Sequence, residues 1–367
     1  MFKKILIANR GEIAVRIIRT CREMGIRTVA VYEISDRDSL HVRLADECVQ
    51  LRDHQAFMEP ETILAVAVEH GVDAVHPGYG FLAEEAGFIR ACEAAGIDFI
   101  GPPPEVVEAA RDKIGMLERA RAAGISTVAH SPRSYAEDEY APLAEAADAL
   151  GYPLVVKSCR GGRGRGERLV EDAAHLAENV RRAYAEAKAV YGHSELFLER
   201  AITPAHQVGV QIVADGHGNL VHLGEREGSI IQNNQKLVEE APALCLSPER
   251  QVALLEAALQ LARLIDYQNV GTVEFLVDDD GQFYFSEIKA RIQIEHTLTE
   301  MMTRIDLVRE QIRLEAGEPL GYEQSDVVPR GWAMTCRVRA EDPARRYMPS
   351  PGHLRRVRLP GGPEVRV

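Results

Sequence analysis

Short apolar runs alternate with helical patterns over the first hundred residues of the chain. The runs have the length of buried strands, and the stretches between them carry apolar residues at helical spacing. We predict strands at 4–8, 28–32, 74–75 and 99–100, and helices at 13–24, 61–70 and 85–95. Alternating strands and helices are typical of a parallel sheet covered by helices, so this part predicts a doubly wound α/β lobe. A dinucleotide site is not indicated, because no G-x-G-x-x-G follows the first strand.

A pattern with a period of two predicts a β-hairpin much later in the chain. Two runs of apolar, β-branched or aromatic residues, 273–277 and 282–286, flank the sequence Asp-Asp-Asp-Gly. An Asp-Gly pair between such runs is typical of a two-residue hairpin loop. We therefore predict that Asp280 and Gly281 form the loop.

This hairpin places two carboxylates side by side. With that loop, Glu274 lies directly opposite Glu287, with the Cβ atoms about 5 Å apart. Like charges at this distance are destabilising unless a positive charge lies between them, and Mg²⁺ prefers oxygen ligands. We therefore predict that the two glutamates bind a divalent metal. The alternative is two exposed glutamates on a solvated sheet face.

The period of two continues beyond the hairpin. In an extended chain, every second residue from Glu287 to Glu295 lies on one face, and the polar row spans roughly 26 Å. Within it, Arg291 can fork onto a planar anion, Gln293 can donate its amide, and Glu295 can take a proton. Bicarbonate fits this set of groups, and other small carboxylates fit it too.

A lysine and a run of glycines indicate a phosphate site in the middle of the chain. A predicted strand at 152–157 ends at Lys157, and Ser-Cys-Arg-Gly-Gly-Arg-Gly-Arg-Gly follows it. Glycine backbones approach phosphates closely and present N–H groups, while an ammonium group neutralises charge. A predicted helix at 173–190 and a predicted strand at 195–198 complete this small lobe, and Asp112-Lys113 opens an earlier helix.

Composition narrows the class of protein. The chain has 367 residues, too many for one ordinary core, and its net charge of −13 argues against broad binding to nucleic acid or an anionic membrane. The six cysteines show no C-x-x-C spacing, which fits a reducing compartment. The first apolar run stops at Asn9-Arg10, too short for a signal peptide, and no run approaches membrane-spanning length. We expect a cytoplasmic location.

Motifs from several parts of the chain together form one pattern. They are the segment 8–14 (ANRGEIA), the segment 235–242 (QKLVEEAP), the pair Glu274 and Glu287, and the segment 291–296 (RIQIEH). In this order they resemble the biotin carboxylase subunit or domain of biotin-dependent carboxylases, in the ATP-grasp superfamily. The likeness runs over essentially the whole chain, so it is more specific than any one motif.

The resemblance implies an α/β fold, α+β overall, of the ATP-grasp type. The implied parts are a doubly wound N-terminal lobe (1–112), a connecting helix (113–128), a lid lobe with the Gly/Arg loop (129–201), a catalytic lobe (202–330) and a partial C-terminal lobe (331–367). Relative to the family, the chain stops at Val367 before that last lobe closes. The first lobe carries a helix that forms dimers in the family, and its matching residues Arg16, Arg19 and Glu23 belong either to such an interface or to a solvated helix face.

The reaction implied by the resemblance uses ATP and bicarbonate. ATP phosphorylates bicarbonate to carboxyphosphate, and the carboxyl group passes to N1′ of biotin on a separate carrier protein. The implied cofactors are ATP with Mg²⁺ or Mn²⁺, and the implied partners are a biotin carboxyl carrier protein, a carboxyltransferase and a second copy of the chain. The chain has no Met-Lys-Met stretch for biotin attachment, so we expect the acceptor biotin to arrive on another polypeptide or as a free ligand.

The resemblance also implies roles for individual residues. The implied metal ligands are Glu274 and Glu287. The implied catalytic residues are Glu295, Arg337, Arg291 and Lys236. The implied bicarbonate contacts are Arg291, Gln293, the backbone of Ile294 and Lys236. Tyr79 is implied to lie near the acceptor ring. The alternative for its Gly- and Pro-rich loop is a turn with only a structural role. The implied nucleotide contacts are Lys113, Lys157, Gly161, Gly162, Gly164, Glu199, Ile202, Gln207 and Asn234.

The chain departs from the family pattern on the nucleotide side. Positions at which it differs are Arg160 and Arg163 in the glycine run, Gln207, Gly209, the pair Asn233-Asn234, and Lys289. Lys289 stands where the family has an asparagine beside the metal. A protonated lysine cannot ligate Mg²⁺, but it can stand in for part of a second metal's charge. The bicarbonate set is intact.

These departures leave two alternatives to a biotin carboxylase. One is a diverged ATP-grasp carboxylase or ligase that passes the carboxyl group to a small molecule other than biotin. The other is a catalytically silent relative that binds nucleotide.

Overall fold

The computed structural model of the protein describes residues 1–159, 167–192, 195–233 and 235–367. The chain divides into two compact units, Met1–Thr335 and Cys336–Val367. Several predicted nucleotide contacts or departures lie outside the described residues: Arg160, Gly161, Gly162, Arg163, Gly164 and Asn234.

The N-terminal part of the first unit is a doubly wound parallel sheet. Its five strands run in the order β3-β2-β1-β4-β5, and every neighbouring pair is parallel. The elements are β1 (Lys4–Ile7), α1 (Gly11–Glu23), β2 (Arg27–Tyr32), α2 (Leu40–Leu44), β3 (Glu47–Gln50), α3 (Pro60–Glu69), β4 (Ala74–His76), α4 (Ala86–Ala94), β5 (Asp98–Phe99) and α5 (Pro104–Arg111). The predicted strands and helices are confirmed to within two residues, whereas α2, β3 and α5 were not predicted.

This sheet is covered on both faces, because its central strands β2, β1 and β4 are largely apolar and buried. Leu6 belongs to the same buried cluster as Phe88 on one face. Ile5 and Ile7 belong to the cluster of Ile17, which lies on α1 against the other face. A fully buried side chain of this size stabilises the fold by about 1.5–3 kcal/mol, so both faces contribute.

A small antiparallel sheet follows, with the strand order β7-β6-β8. The elements of this part are α6 (Lys113–Ala122), α7 (Tyr140–Leu150), β6 (Leu154–Ser158), β7 (Arg168–Val170), α8 (Ala173–Tyr191) and β8 (Leu196–Arg200). Asp112 caps α6 by accepting a hydrogen bond from the backbone of Gly115 at 3.0 Å, as its position before Lys113 predicts. The small sheet has its own buried cluster, which includes Leu143, Val180 and Leu198.

The rest of the first unit is built on a six-stranded sheet with the order β13-β12-β9-β10-β11-β14. Its elements are β9 (His206–Ala214), β10 (Leu220–Gln232), β11 (Gln235–Ala241), α9 (Pro248–Arg263), β12 (Asn269–Val277), β13 (Phe283–Lys289), α10 (His296–Thr303), α11 (Leu307–Glu315) and β14 (Ala333–Cys336). Val210 and Ile212 of β9 pack with Leu254 and Leu261 of α9 on one face. The residue between them, Gln211, is also buried but lies on the opposite face, which carries polar groups.

The second unit is small and largely exposed. It contains one two-stranded antiparallel ladder, β15 (Glu341–Asp342) with β16 (Met348–Pro349), and an ion pair of 3.0 Å between Arg339 and Glu341. The predicted boundaries of the lobes stay a prediction. Among the described residues, the chain forms no helix whose length and apolar character would let it span a bilayer.

The loop of the β12–β13 hairpin differs from the prediction. The backbone N–H of Asp278 donates to the carbonyl of Gln282 at 3.0 Å, so three residues, 279–281, form the loop. Its turn is closed by Asp278, whose side chain accepts from the backbone of Gln282 at 2.8 Å. Gly281 has a φ of +73°, which is the left-handed conformation that such a loop requires. The predicted two-residue loop is therefore wrong.

A β-bulge on β13 compensates for the longer loop. Phe275 pairs with Phe285, but the next pair towards the open end is Glu274 with Glu287. Ser286 is the extra residue between them, and it shifts the register by one. The predicted pairing of Glu274 with Glu287 is thus confirmed, although the path from the turn is different.

The conformation of Gly281 has a measurable consequence for stability. We expect Gly281→Ala to lower the free energy of unfolding by about 1–2 kcal/mol, because an L residue pays that much in the left-handed region. Gly87→Ala is the matched control, since Gly87 is exposed in helix α4 with nothing near an added Cβ, and alanine there adds up to about 1 kcal/mol. Urea unfolding monitored by circular dichroism measures both. Two changes of the same sign would contradict this account.

Candidate active site

Glu274 and Glu287 face each other at the edge of the large sheet, and lysines balance their charges. Glu274 Oε1 accepts from Gln293 Nε2 at 2.8 Å and lies 3.2 Å from Lys236 Nζ. Glu287 Oε2 lies 2.7 Å from Lys289 Nζ. The two glutamate side chains are only 17% and 20% exposed, so the alternative of two solvated glutamates is wrong.

Both glutamates are held in the ionised form. Burial alone raises the pKa of Glu274, but Lys236 and Lys289 outweigh it and hold that pKa well below its ordinary value. Burial also raises the pKa of Glu287, and there Lys289 and Lys113 bring the pKa below its ordinary value. A pair of ionised carboxylates is therefore available at neutral pH.

The pair fits a hard divalent cation. Within the described part of the chain, hydrogen bonds and ion pairs reach Glu274 through Oε1 and Glu287 through Oε2. Each carboxylate thus keeps a second oxygen for a ligand. Mg²⁺ binds through one or two carboxylates and takes the rest of its ligands from water and phosphates.

Lys289 lies between several carboxylates and keeps its proton. Burial lowers the pKa of Lys289, but the charges of Glu287, Glu274 and Glu84 raise it above its ordinary value. Its side chain is 13% exposed. As an ammonium group it cannot ligate a metal, so it acts here as a fixed positive charge against Glu287.

Arg291 is held by a second carboxylate. Its Nε donates to Glu84 Oε2 at 3.0 Å, and its Nη1 donates to the carbonyl of Ile292 at 3.1 Å. Burial raises the pKa of Glu84, yet Arg291 and Lys289 hold it below its ordinary value. Among the described residues Arg291 Nη2 has no acceptor, which leaves one end of the guanidinium for an anion.

The predicted extended row from Glu287 to Glu295 does not form. Strand β13 ends at Lys289, the backbone of His296 donates to the carbonyl of Gln293 at 3.2 Å, and Glu295 precedes helix α10 with φ −77° and ψ 0°. Ala290 and Ile292, both 0% exposed, hold this segment in the core as the chain turns. The row of roughly 26 Å expected for an extended chain is therefore wrong. The groups predicted to bind an anion lie instead close to Glu274 and Glu287, the two carboxylates that fit a metal and are called the metal pair below.

Gln293 reaches the metal pair because a buried arginine holds its other end. Arg226 of β10 is 1% exposed, and its Nη2 donates to Gln293 Oε1 at 2.5 Å and to Thr272 Oγ1 at 2.9 Å. Its Nη1 donates to Gln211 Oε1 at 3.0 Å and to Thr299 Oγ1 at 3.3 Å. With its oxygen engaged in this way, the amide of Gln293 can only turn its NH₂ group towards Glu274.

Arg226 is the residue of this site that the sequence reasoning missed. All its hydrogen-bond acceptors among the described residues are uncharged, which is rare for a buried guanidinium. Burial lowers the pKa of Arg226, and the charges of Glu295 and Glu274 oppose that shift. The available signal was Glu225-Arg226-Glu227, three successive charges inside a strand pattern.

Two predicted nucleotide lysines lie where the small sheet meets the metal pair. Lys157 Nζ lies 2.6 Å from Glu199 Oε2, and Glu199 is 3% exposed. Burial lowers the pKa of Lys157, but Glu199 and other carboxylates, Glu287 among them, raise it above its ordinary value. Lys113 Nζ lies 3.8 Å from Glu287 Oε2 and 3.4 Å from the carbonyl of Ser158.

The remaining predicted residues lie in other surroundings. Ile202 lies in the segment between β8 and β9, and the backbone of Gln207 on β9 donates to Ser229 Oγ at 3.2 Å. Ile294 and Glu295 are half-buried in the turn before α10. Arg337 is exposed and belongs to the second unit.

Two residues singled out in the sequence, Tyr79 and Arg16, form side-chain contacts that involve helix α1. The hydroxyl of Tyr79 donates to Glu12 Oε1 at 2.5 Å. Arg16 donates to Glu300 at 2.8 Å and to Asp306 at 2.6 Å, with a side chain that is 13% exposed. Arg16 is therefore not part of a solvated helix face.

Two family models match the chain, one after the other. Residues 1–107 match the biotin carboxylase N-terminal domain. Residues 112–323 match the ATP-binding domain of the carbamoyl-phosphate synthase L chain. Together they cover both the parallel sheet and the site described above.

Curated relatives and solved structures resemble the chain over nearly its whole length. The chloroplastic biotin carboxylase of Arabidopsis thaliana is 44% identical over 99% of this chain and 68% of that protein. The biotin carboxylase of Pseudomonas aeruginosa is 42% identical over 100% of this chain and 82% of that protein. The biotin carboxylase domain dimer of Hydrogenobacter thermophilus 2-oxoglutarate carboxylase, in complex with MgADP, ADP and bicarbonate, is 43% identical with a TM-score of 0.94, and the match covers 99% of this chain and 80% of that one.

The predicted ATP-grasp fold is confirmed by this structural likeness. The comparisons support ATP- and bicarbonate-dependent carboxylation of biotin, and they give no support to another acceptor or to a silent relative. From its motifs, its fold and the convergence of carboxylates, lysines and Arg291 at one sheet edge, the chain belongs to the biotin carboxylase family of ATP-grasp ligases.

Proposed function

We propose that this chain activates bicarbonate at the carboxylate Glu274, where the metal pair and the anion-binding groups meet. One observation carries the proposal: Gln293 Nε2 and Lys236 Nζ lie 2.8 Å and 3.2 Å from the same Glu274 oxygen. A bicarbonate ion held by these donors and by Arg291 lies beside whatever nucleotide phosphates the metal pair holds. Proximity of this kind supplies much of the rate of phosphoryl transfer.

The nucleotide end works mainly by positioning and charge. Glu274 and Glu287 would hold Mg²⁺, which would neutralise charge on the transferred phosphoryl group. Lys113 and Lys157 place two further positive charges next to the phosphates. The backbone of the segment from Glu199 to Ile202 forms hydrogen bonds with the adenine. Gln207, at the start of β9, lies near the ribose of the bound nucleotide.

The bicarbonate end supplies the acid–base chemistry. Arg291, Gln293, Lys236 and the backbone N–H of Ile294 orient the anion, and Glu295 removes its proton as the oxygen attacks the terminal phosphorus of ATP. The products are ADP and carboxyphosphate, which delivers the carboxyl group or CO₂ to the acceptor. Preorganised charges of this kind favour the transition state because they need no rearrangement during the reaction.

The acceptor is biotin, carried on a separate carrier protein. Arg337 stabilises the enolate-like oxygen of the ring, and Tyr79 lies near the ring when the carrier docks. A carboxyltransferase then takes the carboxyl group onward. The proposal also includes a homodimer that forms through the N-terminal lobe. It further includes a cytoplasmic location, and the six free cysteines agree with such a reducing compartment.

The role of Glu295 has a direct test. We expect Glu295→Gln to bind ATP like the wild type and to lose bicarbonate-dependent phosphate release by about 100-fold or more, because the general base is gone. Phosphate release and nucleotide titration measure the two effects. Glu256→Gln, on the exposed side of α9, is the control and should behave like the wild type. Normal release by the Glu295 variant would remove the residue from this role.

The role of Arg226 is to position Gln293, and the kinetic constants separate this from a structural role. We expect Arg226→Met to raise the KM for bicarbonate by about tenfold, the effect of about 1.4 kcal/mol, while the KM for ATP changes little. Arg226→Lys keeps the charge but loses the fork, so it should recover part of the bicarbonate affinity. Equal rises in both KM values would indicate general damage to the fold.

Lys289 competes with the cation for Glu287, because its Nζ lies 2.7 Å from that carboxylate. We expect Lys289→Asn to lower the Mg²⁺ concentration that gives half-maximal ATP turnover by about tenfold, or about 1.4 kcal/mol. Lys188→Asn removes a lysine from an exposed ion pair on α8 and is the control. An unchanged or higher Mg²⁺ requirement would mean that Lys289 helps to hold the nucleotide.

A further inference from the structure

A cluster outside the active site combines an imidazole, a carboxylate and a thiol. His206 begins β9, Glu227 lies on β10, and Cys245 lies in the segment between β11 and α9. One ligand atom from each residue, a ring nitrogen, a carboxylate oxygen and the sulfur, lies within 4.8 Å of the other two. Three separate stretches of the chain thus bring metal-binding atoms to one place.

Hydrogen bonds already organise this cluster. His206 Nδ1 lies 2.6 Å from Glu227 Oε1, and the hydroxyl of Ser229 donates to the same oxygen at 2.8 Å. Burial raises the pKa of Glu227, but the hydrogen bonds from Ser229, His206 and Cys245 hold it below its ordinary value. The carboxylate is therefore ionised, and the imidazole and the thiol both point at it.

We propose that His206, Glu227 and Cys245 form a binding site for a thiophilic divalent cation such as Zn²⁺. Zinc binds nitrogen, sulfur and oxygen ligands, and sites with three protein ligands leave a fourth position for water. Its bonds of about 2.0–2.3 Å separate ligand atoms in a tetrahedron by about 3.3–3.8 Å, so the cluster needs only small side-chain shifts. The ion takes the place of the protons that now link the carboxylate to the imidazole and the thiol: the Cys245 proton is released to solvent, and the proton of a neutral His206 moves to its other ring nitrogen.

The ligand set separates this site from the Mg²⁺ site. A cysteine sulfur selects zinc and similar metals, whereas magnesium prefers oxygen alone. The Glu274–Glu287 pair offers only oxygens, so the two sites take different ions. Another imidazole–carboxylate pair, His70 with Glu47 at 3.0 Å, lies in the N-terminal sheet, and among the described residues no third ligand joins it.

The cluster is open on one side and anchored on the other. The His206 side chain is 37% exposed and the Glu227 side chain is 10% exposed, while Cys245 is half-buried. An ion can therefore enter beside the imidazole and meet a carboxylate that Ser229 already orients. Strand β9 begins just after the chain leaves the small sheet. A bound ion therefore links the start of β9 to β10 and to the segment before α9.

Cobalt substitution tests the site on the metal-free full chain. We expect one equivalent of Co²⁺ to produce a cobalt–thiolate charge-transfer band, and Zn²⁺ to abolish it by displacement. Cys245→Ser should remove the band. It should weaken Zn²⁺ binding by about 100-fold, since changes even around metal ligands cost 10–100-fold. His206→Ala should weaken the affinity while the thiolate band persists at saturation.

The matched control is Cys48→Ser, which removes an exposed thiol outside the cluster and should leave both the band and the zinc affinity unchanged. Circular dichroism and MgADP binding show whether each variant is folded. The proposal is overturned if wild-type protein gives no thiolate band at saturating Co²⁺, or if Cys245→Ser keeps the wild-type band. Neither result bears on ATP turnover, because the three ligands belong to none of the groups proposed to bind nucleotide phosphates or bicarbonate.

Discussion

The repulsion between Glu274 and Glu287 is the constraint on which the site depends. Two ionised carboxylates opposite each other in a ladder are stable only with positive charge at hand, and Lys236 and Lys289 supply it directly. Those lysines are in turn ordered by the carboxylates. The same balance of charge leaves one oxygen of each glutamate for a cation, so that the interaction that stabilises this sheet edge also prepares it for a metal–nucleotide complex.

A second constraint is the buried charge of Arg226. A guanidinium surrounded by uncharged acceptors is costly, and its nearest balancing charges are Glu295 and Glu274. The arrangement puts a buried positive charge at the oxygen end of the Gln293 amide, while the nitrogen end faces Glu274. In the proposed function, the residue that orients the amide of Gln293 therefore also places a positive charge near the bicarbonate ion.

Lys289 adds a positive charge of the protein itself to the pair of glutamates. It places an ammonium group 2.7 Å from Glu287, in the midst of three carboxylates that keep it protonated. The chain itself thus supplies a positive charge beside Glu287, and in the proposed function a cation competes with that charge for the carboxylate. Lys113 at the start of α6 and Lys157 on β6 bring further positive charge to Glu287 from outside the large sheet, and Arg291 follows β13.

Local patterns determined the elements, and tertiary packing determined how they meet. The period-two runs around the Asp-Gly turn were enough to predict the hairpin, and the apolar runs of the first lobe were enough to predict its sheet, because side-chain direction in a strand follows from sequence spacing. The pairing of Glu274 with Glu287 was predicted from a two-residue loop, and it holds because the bulge at Ser286 offsets the longer loop. The bulge at Ser286, the turn after Lys289 and the hold of Arg226 on Gln293 depend on contacts between residues far apart in the chain. Sequence periodicity carries no information about such contacts, since it records which face of a strand a side chain occupies and not which distant residue that face meets.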